Sequence, residues 1–472
     1  MPEVQAFTVE SIAIHHGKLV LDTICARPMS LPILTLAHPA LVHWAALCTV
    51  AAPPLLAMAA GNLYQLTPEQ ADLAHHLAML RLGLHFGSEL AVLLLLAGLL
   101  ESGLAGRLER VFERMFTRPW QRSVLFFALL LALLEGVVLL PGAAWMHAAL
   151  VRVGISIQGW PGWLQDQLLG MLLVLLIGTP ILLFAHWLLV RSPHRAWLWF
   201  WMASIPVILA GALLLPQVVE PIFDHFEPLA ATHPELVVQF ERVVARTGTH
   251  IPPQRMFLMR ASAKGNGLNA YVSGLGPTKR IVVWDTTADR MPQDEILFIL
   301  AHESGHYVLH HLAWGIGMGI AGTLILLWLT QQLAAWLLRW RGRAWKVDAL
   351  GSLSGMVVLL LALAMLEAVS EPIGNSISRV IEHQADVYGQ EAMHGIVADP
   401  QQTAVAAFQQ LGRAWLEDPN PAPFVVFWTY DHPSIQSRAS FAAHYDPWTK
   451  GNHPRYFAAA PGADPAATLR VP

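Results

Sequence analysis

Seven stretches of this chain are long and apolar enough to cross a lipid bilayer as helices. A spanning helix needs about 20 predominantly apolar residues, and such stretches run over 38–60, 86–105, 123–150, 166–190, 196–216, 312–338 and 349–371. Composition agrees, because 55% of the residues are hydrophobic and only 13% are charged, about half the charged fraction of a soluble domain. We therefore expect a mainly α-helical, multi-pass membrane protein in contact with lipid.

Polar intervals divide the sequence into four regions. Residues 1–216 hold the N-terminal region and the first five spans, and 217–311 form the first stretch with the composition of a soluble segment. The last two spans lie in 312–372, and a second soluble segment covers 373–472. The net charge of −4 is small for this length, which argues against a nucleic-acid partner.

Basic residues are concentrated on alternate loops between the spans. Three loops share this property and together carry Arg107, Arg110, Arg114, Arg118, Arg122, Arg191, Arg195, Arg339, Arg341, Arg343 and Lys346. The two opposing short loops hold only Arg81 and Arg152. By the positive-inside rule the basic loops face the cytoplasm, and both soluble segments then lie on the other side.

Several predicted spans also contain acidic residues. Glu89 and Glu101 lie near span ends, whereas Glu135 and Glu367 lie deeper. Carboxylates inside a membrane are costly and usually face a protein interior or a hydrated cavity. These acids therefore hint at a hydrated space between the spans.

The segment 294–306 contains the pattern HExxH, with apolar residues at helical spacing. On a helix, residues four apart share one face, so His302 and His306 would direct their imidazoles at a common point, as a zinc ion requires. Glu303 would lean over the same point and could take a proton from a water molecule that the metal activates. Chance alone would give such a pattern in few chains of this length, although a histidine-bearing helix without metal remains the alternative.

A catalytic zinc needs a third protein ligand and one open position. The metzincin pattern is excluded, because Leu309 and Leu312 stand where it requires Gly and His. Glu382 is the best candidate, and Asp386 follows one turn later, where it could accept a hydrogen bond from a ligand imidazole. His383 is a rival ligand, but on a helix it points about 100° away from Glu382. With only two cysteines in the chain, a Cys-based zinc site is excluded.

Two β-prone runs precede the HExxH helix. Residues 270–273 and 280–284 are joined by a Gly-Pro turn, which is typical of a hairpin. The soluble segment is therefore expected to contain a small β-sheet.

Taken together, these segments resemble the M48 peptidases, and in particular the integral-membrane CAAX prenyl endopeptidases. The matching segments are 221–229, 269–276, 279–286, 302–306, 378–386 and 432–438. The resemblance implies seven transmembrane helices that enclose a chamber, together with a zincin-type protease domain. It implies one zinc ion per chain held by His302, His306 and Glu382, with Glu303 as the general base and Asp386 as the hydrogen-bond partner of a ligand.

The resemblance also implies how a substrate is held. Asn269, Ala270 and Tyr271 would lie on an edge strand that pairs with a peptide or lipidated-peptide substrate. His432 and Arg438 would stabilise the oxyanion or hold the substrate's terminal carboxylate. A structural hairpin and a helix-entry turn with a surface arginine are the alternatives for these two groups.

The expected activity is zinc-dependent hydrolysis of a peptide bond near the C-terminus of a prenylated CAAX-type or similar membrane-associated peptide. A quality-control protease for membrane proteins, and a non-enzymatic scaffold or transporter, are the alternatives. A site-2-type protease is disfavoured, because polar residues directly precede the HExxH helix. The C-terminus carries no ER-retrieval signal, so we expect a bacterial inner membrane, or the ER membrane in a eukaryote. Eukaryotic relatives place the catalytic side in the cytosol, in conflict with the loop charges.

Overall fold

Six helices in the described part of the chain are long and apolar enough to cross a membrane. The structure is a computed structural model, and it describes residues 63–448 and 453–457. The spans are α1 (Pro68–Glu101), α3 (Pro119–Arg152), α4 (Trp160–Arg191), α5 (Ala196–Phe223), α8 (His311–Trp345) and α9 (Leu353–Met393), and α2 (Leu104–Met115) joins α1 to α3. The predicted span at 38–60 lies outside the described residues. The other six predicted spans are confirmed.

Local sequence explains where these helices begin and how they bend. Thr67 starts α1 with a capping box, in which its side chain accepts from the Gln70 amide, and this satisfies amides that the first turn leaves unpaired. Within α3, a π-helical stretch at Leu134–Leu139 buries the side chain of Glu135. Much of the apolar surface of the spans is exposed, as expected for side chains that face lipid.

The soluble segment between α5 and α8 contains a four-stranded sheet and two main helices. The strands are β1 (Phe226–Pro228), β2 (Met256–Met259), β3 (Ala270–Ser273) and β4 (Arg280–Trp284), and the helices are α6 (Pro234–Thr247) and α7 (Gln293–Val308). Short helices occupy Leu229–Thr232 and Asp285–Arg290. The strand order is β1-β2-β4-β3, with β2 parallel to β4 and the outer pairs antiparallel. The predicted hairpin is confirmed, and β3 is an edge strand of this sheet.

The last span continues without interruption into the soluble part. α9 is 41 residues long, so at 1.5 Å per residue it extends about 60 Å, roughly twice the thickness of a bilayer core. The predicted region boundary between 372 and 373 falls inside α9, and the boundary between 216 and 217 falls inside α5. After α9 the chain forms α10 (Pro400–Trp415), α11 (Pro423–Thr429) and α12 (Ile435–His444).

Two glycines allow α7 and α9 to pack unusually closely. A Cβ on Gly389 would lie 3.0 Å from the backbone nitrogen of His302, and one on Gly305 would lie 3.0 Å from the Tyr388 ring. Contacts this short are tighter than ordinary van der Waals packing. The absence of a side chain at these positions therefore brings the two helices together at the HExxH sequence.

The loops form two clusters, at opposite ends of the spans. At one end, the α3–α4 loop is bound to the soluble segment: Ile155 accepts from the Asn266 amide at 2.8 Å, and Ile157 donates to Lys264 at 3.0 Å. At the other end, Arg341 donates to both oxygens of Glu101 at 2.6 and 2.7 Å. The soluble segment therefore packs at the end of the spans opposite to the arginine-rich loops.

Candidate active site

Helices α7 and α9 bring three ligand-type side chains to one point. His302 and His306 lie one turn apart on α7, and Glu382 reaches them from α9. His302 Nε2 is 3.2 Å from His306 Nε2 and 3.3 Å from Glu382 Oε2, and His306 Nε2 is 3.6 Å from Glu382 Oε1. His302 and Glu382 are buried, and His306 is partly exposed.

These separations fit a tetrahedral metal ion. With ligand bonds of about 2.0–2.1 Å, adjacent ligands on a zinc tetrahedron lie about 3.3 Å apart. Glu382 Oε2 is buried and lies among imidazole nitrogens, with His432 Nε2 at 3.2 Å and His302 Nε2 at 3.3 Å. Two imidazole nitrogens and a carboxylate whose ligand atoms converge within 4.8 Å of one another form a donor set that suits a metal ion.

Asp386 and Arg438 lie behind His302, on the side away from the ligand atoms. His302 Nδ1 is 2.9 Å from Asp386 Oδ1, and Arg438 donates to both oxygens of Asp386 at 2.6 and 3.0 Å. The guanidinium of Arg438 is buried and lies over the Phe408 ring at 4.4 Å. Asp386 thus contacts a predicted ligand imidazole, and Arg438 holds Asp386 in place through the paired hydrogen bonds.

The field at His302 favours positive charge. Burial by itself lowers the pKa of this imidazole, but hydrogen bonds to Asp386 and Glu382 outweigh burial and raise the pKa to about 9. Surroundings that favour protonation of the His302 imidazole also favour a metal cation bound beside it.

Glu303 lies between the ligand cluster and the edge strand. Its carboxylate lies close to the backbone N–H of Val272 on β3. Burial raises the pKa of Glu303, although the nearby His302 opposes the rise. The group therefore has the position and the elevated proton affinity that a general base needs.

Three residues on or directly before β3 are predicted to bind substrate, and their surroundings differ. Both backbone groups of Asn269 are used within the protein, because its N–H donates to Thr287 at 2.7 Å and its carbonyl accepts from Trp284 at 3.0 Å. Tyr271 directs its hydroxyl to Glu220 at 2.9 Å, away from the ligand cluster. Ala270 shares the register parity of Val272, so its N–H points to the same outer side of the strand.

His432 lies beside the ligand cluster, on the turn before α12. Its Nε2 is 3.2 Å from Glu382 Oε2, and its Nδ1 is 2.8 Å from Asp431. Burial lowers its pKa, but the carboxylates of Glu382 and Asp431 outweigh this and raise the pKa to about 10. The structure therefore brings His432 to the site as a potential donor of a charged hydrogen bond.

The site contains two residues that sequence reasoning missed. His311 Nδ1 is 3.3 Å from His306 Nδ1, and its Nε2 is 3.1 Å from Gln384, so it holds the second ligand imidazole in place. Arg379 donates to the carbonyls of Val426, at 2.9 Å, and Tyr430, which anchors the segment before His432. The sequence signal for His311 is its position five residues after His306, next to residue 312, where the metzincin pattern requires His.

Comparisons with known proteins agree with this geometry. Residues 230–446 match the model of peptidase family M48, and residues 62–225 match the model described as the CAAX prenyl protease N-terminal region with five membrane helices. The chain is 29% identical to an uncharacterized metalloprotease, YhfN, of Bacillus subtilis over 73% of this chain and 78% of that protein. It is 26% identical to CAAX prenyl protease 1 of Saccharomyces cerevisiae over 66% of this chain and 70% of that protein.

The fold has a counterpart among solved structures. The crystal structure of Ste24p from S. mikatae superposes with a TM-score of 0.65 at 20% sequence identity, over 92% of this chain and 97% of that chain. The two family models together include all six described spans and the residues of the ligand cluster. Residues 230–446 therefore belong to peptidase family M48 and residues 62–225 to the CAAX prenyl protease N-terminal family, and the chain is a multi-pass membrane metalloendopeptidase.

Proposed function

We propose that this protein uses zinc to hydrolyse a peptide bond near the C-terminus of prenylated CAAX-type or similar membrane-associated peptides. One ion per chain would be held by His302, His306 and Glu382. The observation that carries the proposal is the convergence of these three side chains within 4.8 Å of one another, next to Glu303 and an edge strand. The substrate class follows from several relatives, which are named CAAX prenyl protease 1 or its homologue.

Each of the surrounding residues has a distinct part in this reaction. When bound, zinc would polarise the scissile carbonyl and acidify a water molecule. Glu303 takes the proton of the attacking water and returns it to the leaving amine. Asp386, held by Arg438, keeps His302 in the tautomer that presents its Nε2 lone pair. His432 donates a hydrogen bond to the oxygen on which negative charge develops.

The substrate would bind in an extended conformation along β3. The outward amides of Ala270 and Val272 would pair with its backbone, as in other cases of strand addition. Asn269 would contribute through its side chain, since its backbone groups already have partners. Tyr271 would contribute by fixing β3 to α5 through Glu220, a change from the direct contact expected from sequence.

We further propose that the catalytic segments face away from the cytoplasm, in a bacterial inner membrane. The proposal rests on the packing of the soluble segment at the end of the spans opposite to the basic loops. The positive-inside rule assigns those loops to the cytoplasm. Of the four regions predicted from sequence, 1–216 and 312–372 would then be the membrane units. The catalytic segments, 217–311 and 373–472, would both lie on the non-cytoplasmic side.

The proposal is tested with the purified protein in detergent and a farnesylated CAAX peptide. We expect cleavage by the wild type, loss of cleavage with Glu303→Ala, and loss on treatment with a chelator followed by recovery with zinc. The same peptide without the farnesyl group is the matched substrate control, and it should be cleaved more slowly.

Two negative results have different meanings. If a zinc-loaded protein cleaves unfolded membrane proteins but neither peptide, the substrate class is wrong and quality-control proteolysis is the correct activity. If the folded protein retains no zinc, the metal assignment itself is wrong.

A further inference from the structure

A second cluster of ligand-type side chains lies between two membrane spans. His85 and Glu89 are one turn apart on α1, and Glu371 faces them from α9. Their ligand atoms all lie within 4.8 Å of one another. His85 Nε2 is 3.1 Å from Glu371 Oε2 and 3.8 Å from Glu89 Oε1.

The layout of this cluster repeats that of the active site. In both places two ligands four residues apart on one helix meet a glutamate from α9. Glu371 precedes Glu382 by eleven positions, which is about 16 Å along the helix. The two clusters are therefore separate, and one metal ion cannot bind to both.

The charge of the second cluster favours a cation. Two carboxylates lie beside a single imidazole on membrane-spanning helices, and a bound divalent cation would balance their charge. Arg81, one turn before His85 on α1, donates to the Trp415 carbonyl at 3.0 Å and lies 4.0 Å from Glu417. Arg379 of α9 donates to carbonyls next to α11.

The cluster is also accessible to an ion. The side chains of His85, Glu89 and Glu371 are 30%, 30% and 25% exposed, although they lie on helices that cross the membrane. Because ionisable side chains on membrane-spanning helices usually face the protein interior or a watery cavity, we expect this exposure to be to a hydrated space. Glu367 lies one turn before Glu371 on the same helix.

We propose that His85, Glu89 and Glu371 form a second metal site, which binds a divalent transition cation and links α1 to α9. One imidazole and two carboxylates are a donor set that accepts zinc, iron or manganese. The site is independent of the protease assignment, since it shares no residue with the catalytic cluster. A cation there would fix the helix that carries Glu382 against the first described span.

The test counts zinc ions on the purified, detergent-solubilised protein. The chain is stripped with a chelator, reloaded with zinc chloride, passed through a desalting column and analysed by mass spectrometry of the metal. We expect two ions per chain for the wild type, and one for His85→Ala, Glu371→Gln and the double variant His302→Ala/His306→Ala. His76→Ala, at an exposed position on the same helix, is the matched control and should retain two.

A thermal measurement separates binding from folding. In the His302→Ala/His306→Ala background, zinc should raise the melting temperature, and adding Glu371→Gln should abolish that rise. The proposal is overturned if the wild type holds one ion and the double variant none, because the second cluster is then only an ion pair. It is equally overturned if Glu371→Gln lowers the melting temperature but leaves the zinc count unchanged.

Discussion

At the scale of single residues, a substitution of Glu303 should remove catalysis without removing the bound metal. Glu303→Gln keeps the size of the side chain and an oxygen that can accept from the Val272 amide, but it removes the base. We expect kcat to fall by about 10²–10⁴-fold, with zinc content unchanged. Peptide-cleavage kinetics and metal analysis on the same preparation check this. Near-normal turnover by the variant would exclude Glu303 as the base.

Asp386 should control metal affinity through His302. Asp386→Asn weakens both the contact with His302 Nδ1 and the paired hydrogen bonds from Arg438. Loss of such a partner typically reduces metal affinity about 10–100-fold. Competition with a chromophoric chelator measures the change, and Asp294→Asn on the exposed face of α7 is the control. Equal affinities for the two variants would contradict the assigned role of Asp386.

Site residues could be assigned from the sequence only where helical spacing by itself fixes the relative positions of their side chains. His302 and His306 could be paired from sequence, because four residues on a helix fix their common direction. The pairing of Arg438 with Asp386 could not be predicted, since a buried arginine and an exposed one look alike in sequence and the contact depends on how α12 packs. The contact between His311 and His306 likewise depends on the turn between α7 and α8.

At the scale of elements, β3 should bind substrate through its outward amides. Val272→Pro removes one such N–H, and proline is tolerated where an edge-strand amide faces outward. A hydrogen bond between neutral groups contributes about 0.5–1.5 kcal/mol, so we expect kcat/KM to fall by roughly 2–10-fold. Val272→Ala keeps the N–H and should stay close to the wild type. If both variants lose activity equally, the side chain and not the amide is responsible.

The close packing of α7 on α9 should be sensitive to a single methyl group. Gly389→Ala places a Cβ 3.0 Å from the His302 backbone, and overpacking of this kind costs about 1–3 kcal/mol. We expect a lower melting temperature together with weaker zinc binding. Gly317→Ala in α8 is the matched control, since a Cβ there meets nothing within 4 Å. An unchanged melting temperature for Gly389→Ala would mean that α7 and α9 leave room for a methyl group at this contact.

Hydropathy predicted the six described spans, but it could not predict where α9 ends. The apolar run fades after residue 371, whereas the helix continues to Met393 because tertiary packing against α7 replaces lipid as its apolar surroundings. Hairpin signals were sufficient to find β3 and β4. The order of the sheet was not predictable, because β2 pairs with β4 across a long connection.

At the scale of the whole molecule, the spans separate the active site from the arginine-rich loops. The α3–α4 loop binds the catalytic segment, whereas Glu109 of α2 accepts from the amides of Leu353 and Ser354 at the other end of the spans. Any membrane orientation therefore puts these two clusters of loops in different compartments. Loop charge favours the cytoplasm for the arginine-rich cluster.

This orientation can be measured with two single cysteines. In a chain with Cys25 and Cys48 replaced by Ser, His194→Cys lies on the α4–α5 loop and Asn420→Cys lies before α11, both at exposed positions. In spheroplasts of a bacterial host, a membrane-impermeant maleimide should label Asn420→Cys at once and His194→Cys only after permeabilisation, because the impermeant reagent reaches only the outer face. The reverse pattern would place catalysis in the cytoplasm and show that packing of the soluble segments outweighs loop charge. Labelling of both before permeabilisation would mean that the protein inserts in two orientations, and the charge difference between the loops would then be too small to decide.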